Sequence, residues 1–301
     1  MSVVADTTTV MPELFARRRR HPLRGMRTFA RREQVAAVAA VFLLLVILAS
    51  LAAPLIAPFD PEEQNYDLLL ATPSWTHPLG TDDLGRDVLS RLLWGGRSSM
   101  AAVALAVSVA LAIGVPLGLA DGFARGKVDA VIMRCVEAIQ SFPGLVLAIG
   151  VTGALGTSLI NSMFAVGLVF SPTVMRLVRS RVLSVREEPF VQAGVTFGAS
   201  GKRLMWRYVL PNSIQPVLVQ LPLLLAFALI AEASLSFLGL GIQPPAPSWG
   251  SSLGRAYASS ARAPWQVIAP GVLIVLVALS FNLLGDGLSR NLDPRLRTAN
   301  R

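Results

Sequence analysis

The sequence predicts an all-α protein: a polytopic membrane helical bundle of six transmembrane helices, with a short amphipathic helix on its outer face. Three observations predict it. Hydrophobic residues make up 53% of the 301 residues and charged residues only 15%, against about 25% charged in an ordinary soluble domain. The apolar residues gather into six runs, each approaching the roughly 20 residues that cross a bilayer. The 27 Lys and Arg lie between those runs, and none falls in the middle of one. A formal charge of +9 distributed in this way orients a membrane protein. It lacks the interleaved aromatic residues of a nucleic-acid surface, so no nucleic-acid partner is expected.

Residues 1–34 read as a cytoplasmic tail, with Arg17, Arg18, Arg19, Arg20, Arg24, Arg27, Arg31 and Arg32 against Asp6, Glu13 and Glu33. Residues 35–57 read as the first transmembrane helix. Its polar leader and apolar core are both too long for a cleaved signal peptide. Residues 58–97 form an extracytoplasmic segment rich in Pro and acids. There Asp82 or Asp83 is expected to cap the short amphipathic helix, whose Val88, Leu89, Leu92 and Leu93 face the membrane or a neighbour. Residues 98–288 hold the other five spans, at about Ser98–Leu119, Val136–Leu155, Leu159–Val178, Ile214–Leu238 and Val267–Leu284. Residues 289–301 form a second cytoplasmic tail. With this topology the basic loops fall inside and the acidic 58–97 segment outside, as the positive-inside rule requires.

Between the fourth and fifth spans lies a basic island, about residues 188–212. Pro189 suits a first helical position, so Phe190–Thr196 reads as a short helix. Gly198 and Gly201 break it, and Lys202–Tyr208 is expected to form a second helix that stops before Pro211. Two short helices at a glycine elbow suit docking into a groove of another protein.

Cys135 is the single cysteine and His21 and His77 the only histidines. Neither a disulfide nor a metal or histidine catalytic centre is expected. Two acids, Glu137 and Glu232, lie within apolar spans, where an ionisable group faces a bundle interior or a water-filled path. Glu137 reads as a local ion pair with Arg134. Glu232 is suited to meet a substrate's ammonium group or to fix the bundle through an interhelical hydrogen bond. Phe142-Pro143 is expected to kink its helix, shaping a pathway or serving packing alone.

Gln192-Ala193-Gly194, Gly198 and Leu210-Pro211 resemble the EAA loop of bacterial ABC-transporter permeases, with Gln192 and Gly194 where that family's pattern has Glu and Ala. The segment His77-Pro78-Leu79-Gly80-Thr81-Asp82-Asp83-Leu84-Gly85-Arg86-Asp87 resembles the signature preceding the core of C-type permeases of dipeptide and oligopeptide importers. So do Glu232–Gly241 with the Pro247-Ser248-Trp249-Gly250 that follows, and Phe281–Leu288 with Leu292-Asp293-Pro294-Arg295. The resemblance covers about Val35 to Arg297.

It implies a type I ABC importer permease fold in a bacterial inner membrane, with both termini cytoplasmic. It further implies a heterodimer with a second permease, two ATP-binding subunits that hold ATP and Mg, an extracytoplasmic substrate-binding protein, and a peptide substrate. This chain itself would bind no cofactor and hydrolyse no ATP. A phosphate loop needs Gly-x-x-x-x-Gly-Lys-Ser/Thr, and around Gly201-Lys202 the first glycine position holds Thr196 and the hydroxyl position Arg203. The resemblance assigns the ATPase-coupling loop to Gln192, Ala193, Gly194, Val195, Phe197, Gly198, Ala199, Ser200, Gly201 and Lys202. Leu204 stands beside Val195 and Phe197 as an apolar anchor. An outer-face motif comprises Asp82, Asp83, Arg86 and Asp87, and a translocation path takes Phe142, Glu232 and Asn282. Nickel-chelate importers share these signatures. Readings from other classes are an ion-coupled secondary transporter or channel, and a membrane scaffold without transport.

The topology is checked at Asp83. In a Cys135→Ser background, a cysteine at Asp83 should react with a membrane-impermeant maleimide on intact cells. Reaction only after permeabilisation would invert the topology.

Overall fold

The computed structural model describes residues 32–124 and 127–292. Most of the Arg-rich tail expected at 1–34, Arg125, and the Asp293-Pro294-Arg295 motif lie outside the described residues. Among the described residues, the helices in chain order are α1 (Gln34–Leu51), α2 (Ala53–Ile56), α3 (Val88–Ala124), α4 (Lys127–Gln140), α5 (Gly144–Leu155), α6 (Leu159–Val185), α7 (Pro189–Thr196) and α8 (Gly201–Leu204). A wide π turn at Met205–Val209 follows, then α9 (Leu210–Ser213), α10 (Gln215–Phe237), α11 (Trp249–Ala258) and α12 (Trp265–Leu292). The bundle is all-helical, as the apolar runs predict.

Five of these helices, α1, α3, α6, α10 and α12, are long and apolar enough to cross a membrane. The sixth expected span is broken. Its halves, α4 and α5, meet at 92°. Pro143 disfavours helical backbone at Phe142 and has no N–H to continue the ladder, so α5 restarts behind Pro143 at Gly144.

Two further expectations are corrected. The outer amphipathic helix is not separate, because Val88 to Arg97 form the first turns of the 37-residue α3. At 1.5 Å per residue α3 is about 55 Å long, against the ~30 Å of a hydrocarbon core. It is thus longer than one slab requires, and Arg91 and Arg97 fall in its first turns. The second correction is α11, a helix in the 239–266 stretch between the last two spans, where no helix was expected. Ser248 Oγ accepts from the Ser251 amide at 3.0 Å while Ser251 Oγ accepts from the Ser248 amide at 3.1 Å. This is a capping box with serine in the position usually held by Glu.

The bundle is built around the seam between α3 and α6. A Cβ added to Gly114, Gly118 or Gly122 would lie 2.7–2.8 Å from the Cβ of Val174, Val178 or Val182. In the reverse sense, a Cβ on Gly167 of α6 would lie 2.6 Å from that of Val109. Glycines four apart form one ridge of a helix, and their missing side chains let the two backbones close up. The three facing valines are fully buried. By contrast α1 is peripheral: Ala36, Ala39, Leu43 and Ser50 are buried, while Val38, Leu45 and Leu51 are exposed as a lipid-facing helix requires. Arg290 Nη2 lies 2.9 Å from Glu33 Oε2, joining the end of α12 to the start of α1.

The seam sets a contrast between two glycines. Gly118→Leu forces a side chain against the Met175 carbonyl and Val178, and overpacking of this kind costs roughly 1–3 kcal/mol. Gly150→Ala on α5 meets no atom of this chain within 4 Å and should leave thermal unfolding in detergent unchanged. Equal melting of the two variants would contradict the seam.

Candidate functional site

At the end of the bundle where α3 and α6 finish, the basic island folds into a capped elbow. Pro189 occupies the first turn of α7, where an N–H would have no intrahelical acceptor. The helix stops because Gly198 takes φ +73°. The Gly198 amide donates to Val195 O at 2.9 Å and the Ala199 amide to Gly194 O at 3.0 Å. These two bonds form a Schellman cap, which needs the left-handed residue that glycine supplies without strain. Ser200 then accepts from the Arg203 amide at 3.4 Å and starts α8.

Leu204 is buried, not outward as expected of an anchor. Its Cδ2 lies 2.8 Å from where a Cβ on Gly194 would be, and with buried Val191 it pins α8 against α7. The outward apolar groups are Phe197, at 88% exposure, with Val195, Phe190 and Trp206. Of these, Phe190 and Trp206 were not singled out by sequence. Their signal was available, since large apolar residues stand in a cationic island. Ala193 and Lys202 are exposed as well.

The chain does not stop before Pro211. The Leu210 amide donates back to Met205 O, and this wider register carries the helix to a proline that has no N–H to give. Asn212 Nδ2 takes up the Tyr208 carbonyl at 2.7 Å. The elbow is tied down twice. Gln192 Nε2 donates to Arg186 O at 2.9 Å, and Arg186 Nη1 lies 3.3 Å from both Gly122 O and Phe123 O, the last carbonyls of α3. A guanidinium is favourable at such a helix end.

At the opposite end residues 57–87 form a strap. Asp87, and not Asp82 or Asp83, caps α3: its Oδ2 accepts from the Ser90 amide at 2.7 Å and the Ser90 hydroxyl at 2.8 Å. Its Oδ1 lies 3.0 Å from His77 Nδ1. Asp82 closes a turn instead, with Oδ1 accepting the Leu84 and Arg86 amides at 2.9 and 3.0 Å and Oδ2 accepting Arg86 Nε at 2.8 Å. Asp83 reaches Arg255 of α11 at 3.3 Å, and the Gln266 side-chain Nε2 of α12 donates to Thr81 O. The four residues of the outer-face motif are thus brought together as a turn that straps three helices.

The three residues assigned to a path are not brought together. Phe142 is exposed at the α4–α5 break, and Asn282 is exposed more than halfway along α12. Glu232 has 0% exposure near the strap end of α10. Ser236 Oγ donates to its Oε1 at 2.8 Å, and the Ser99 and Ser248 hydroxyls border the carboxyl group. Beside it the Trp249 ring is buried over Gly95 and Gly96 of α3, with Nε1 donating to Leu92 O at 2.9 Å and its amide to Ser99 Oγ at 3.2 Å. Glu232 thus sits where α3, α10 and α11 meet, bonded through Oε1 within α10 and with its buried Oε2 unbonded among the described residues. Glu137 is the local pair expected, 3.1 Å from Arg134 and exposed.

The described residues thus form a multi-span helical bundle with a capped elbow at one end and a strapped rim at the other. Residues 111–298 match the binding-protein-dependent transport system inner membrane component family, and residues 22–73 match the N-terminal TM domain of oligopeptide transport permease C. The chain belongs to the binding-protein-dependent transport system inner membrane component family. It is 42% identical over 265 residues to the di/tripeptide transport system permease protein DppC of Pseudomonas aeruginosa (strain UCBPP-PA14), covering 86% of this chain and 88% of that protein. It is 41% identical over 268 residues to the glutathione transport system permease protein GsiD of Escherichia coli O157:H7, covering 89% of this chain and 88% of that protein. Its fold is shared with a chain of the inward-facing MetNI methionine ABC transporter, at TM-score 0.55 and 17% identity over 68% of this chain and 96% of that one.

Glu232→Leu leaves the Ser236 hydroxyl without its buried acceptor, a loss worth about 1–3 kcal/mol. It should lower the melting temperature in detergent, and Glu232→Gln, which keeps an acceptor oxygen, should lower it less. Normal expression, melting and uptake in Glu232→Leu would show that the carboxyl is dispensable.

Proposed function

We propose that this chain is one of two permease subunits of an ATP-driven peptide importer in a bacterial inner membrane. The two permeases enclose the path, a separate extracytoplasmic protein delivers peptide at the strap end, and two ATP-binding subunits bind ATP and Mg at the elbow end. The termini and the elbow are then cytoplasmic. Peptide as substrate is supported by relatives named for di- and tripeptide and for glutathione transport, and these favour peptide over a nickel chelate.

The observation that carries the reading is the elbow. Its bend is set by two backbone hydrogen bonds at Gly198 and its inner face by Val191 and Leu204, so Val195 and Phe197 remain free for a partner. A protruding aromatic residue on a rigid support is the form of an interface anchor. Exposed Lys202, Arg203 and Arg207 then stand at the rim, where charge speeds and orients encounter more than it holds the complex. Arg186 and Gln192 fasten the elbow to α3 and α6, so a displacement imposed on it reaches two spans directly.

Reconstitution with the ATP-binding subunits tests this through peptide uptake, peptide-stimulated ATP hydrolysis and subunit association. Gly198→Leu should impair all three. No atom of this chain lies within 4 Å of the position its Cβ would take. Crowding inside the elbow is therefore not the cause. The strain of φ +73°, about 1–2 kcal/mol for a residue with a side chain, and obstruction of the partner are. Lys202→Ala should change association by less than about 1 kcal/mol. Intact association and uptake in Gly198→Leu would overturn the coupling role.

A further inference from the structure

Arg179 stands two turns before the end of α6, the helix that leads into the elbow, and serves two carboxylates on two other helices. Its Nε and Nη2 both donate to Asp129 Oδ1, in the first turn of α4, at 3.0 and 2.7 Å. Its Nε also lies 2.6 Å from Asp121 Oδ2, in the last turn of α3. Yet neither oxygen of Asp121, though buried, carries a hydrogen bond among the described residues. The guanidinium fork points at Asp129, and Asp121 receives charge without a bond. That arrangement is one-sided, because Asp121 is the more buried acid and sits at the negative end of a helix, where a carboxylate is unfavourable. A buried carboxylate oxygen left unbonded is costly, and a charge-assisted fork relieves that cost.

The helix held by Asp129 is weakly held elsewhere. Val136 is the one buried residue among the described side chains of α4, and α4 meets α5 at the 92° break. The partner helices are fixed, since Gly118 and Gly122 lock α3 against Val178 and Val182 on either side of Arg179. Asp121 and Arg179 therefore remain together whatever α4 does.

We infer that Arg179 is a positioning residue which exchanges its hydrogen-bonding fork between Asp129, with α4 docked on α6, and Asp121, with α4 released. The exchange gives the α4 half of the broken span two discrete positions, each with the guanidinium compensated. Both are reached from the helix that carries the elbow. A two-state element biased from one site is what coupling physically requires. The inference rests on the reading of the elbow as the ATPase-coupling element, and its test separates the two.

The full complex with its ATP-binding subunits is labelled with nitroxides at native Cys135 on α4 and at a Thr173→Cys substitution on α6. Distance distributions are recorded without nucleotide and after trapping with Mg, ADP and vanadate. Asp129→Asn should move the resting population toward the released distance, and Asp121→Asn should move the trapped population toward the docked one. The population ratio should shift roughly two- to thirty-fold in each case. Asp129→Glu, which keeps a carboxylate, should retain the resting distribution. Peptide taken up per ATP hydrolysed should fall in both Asn variants, since either one pins α4. Shifts of the same sign in the two variants, or none, would reduce the cluster to structural support and overturn the exchange. If the opposite shifts occur while Gly198→Leu leaves ATP hydrolysis fully responsive to peptide, the switch stands and the elbow reading fails.

Discussion

The seam of α3 and α6 is the constraint on which the other contacts depend. Within a bilayer, apolar surface gains little by leaving lipid for protein, so two helices stay together through close packing and few polar bonds. Gly114, Gly118 and Gly122 provide that closeness against Val174, Val178 and Val182. Everything at the elbow end is referred to this pair. Arg186 bonds the last carbonyls of α3, Gln192 bonds the last carbonyl of α6, and Arg179 reaches sideways to α4. At the other end a second close approach, the Gly95-Gly96 notch, receives Trp249 and Ser50 and brings α1 and α11 onto the same helix.

Polar bonding concentrates where the seam ends. The strap is stitched by Asp82, Asp83 and Asp87 to Arg86, Arg255 and Ser90, and the elbow end by Arg179 and Arg186. Between them Glu232 is a single carboxyl at depth, surrounded by serine hydroxyls instead of a cation. One hydroxyl of its own helix donates to Oε1, while the buried Oε2 has no hydrogen bond among the described residues.

The spans were legible because the bilayer imposes a length and forbids charge, and both show in one dimension. The elbow was legible from Pro189, whose ring fixes φ, and from Gly198, whose missing side chain permits the left-handed φ, whereas Gly201, expected to break the helix, opens α8. What escaped needed three dimensions. Arg91 and Arg97 precede the second apolar run in sequence, but the helix runs through them, with the Pro61 carbonyl accepting from Arg91 at 2.7 Å. Leu204 reads as an outward anchor until Gly194 supplies a place to put it. Pro211 reads as a stop, yet a turn with i+5 bonding just before it needs no N–H there. Asp129 and Asp121 are eight residues apart across a loop, and only Arg179, fifty residues further on, makes them one cluster. Pro143 announced a kink but not its size, and the two halves meet at 92°.

The Schellman cap at Gly198 separates shape from surface in the elbow. Its course is written in main-chain bonds and in two inward side chains, so Val195, Phe197 and Trp206 can be exchanged without rebuilding it. Under the proposed coupling role, permease and motor would be free to drift in sequence together through compensating changes on these few outward positions while the bend itself keeps its form. The same separation lets a designer rewire which motor a permease answers to, by grafting an outer face onto an unchanged bend. Two such transporters in one membrane would then be insulated from each other by a handful of side chains.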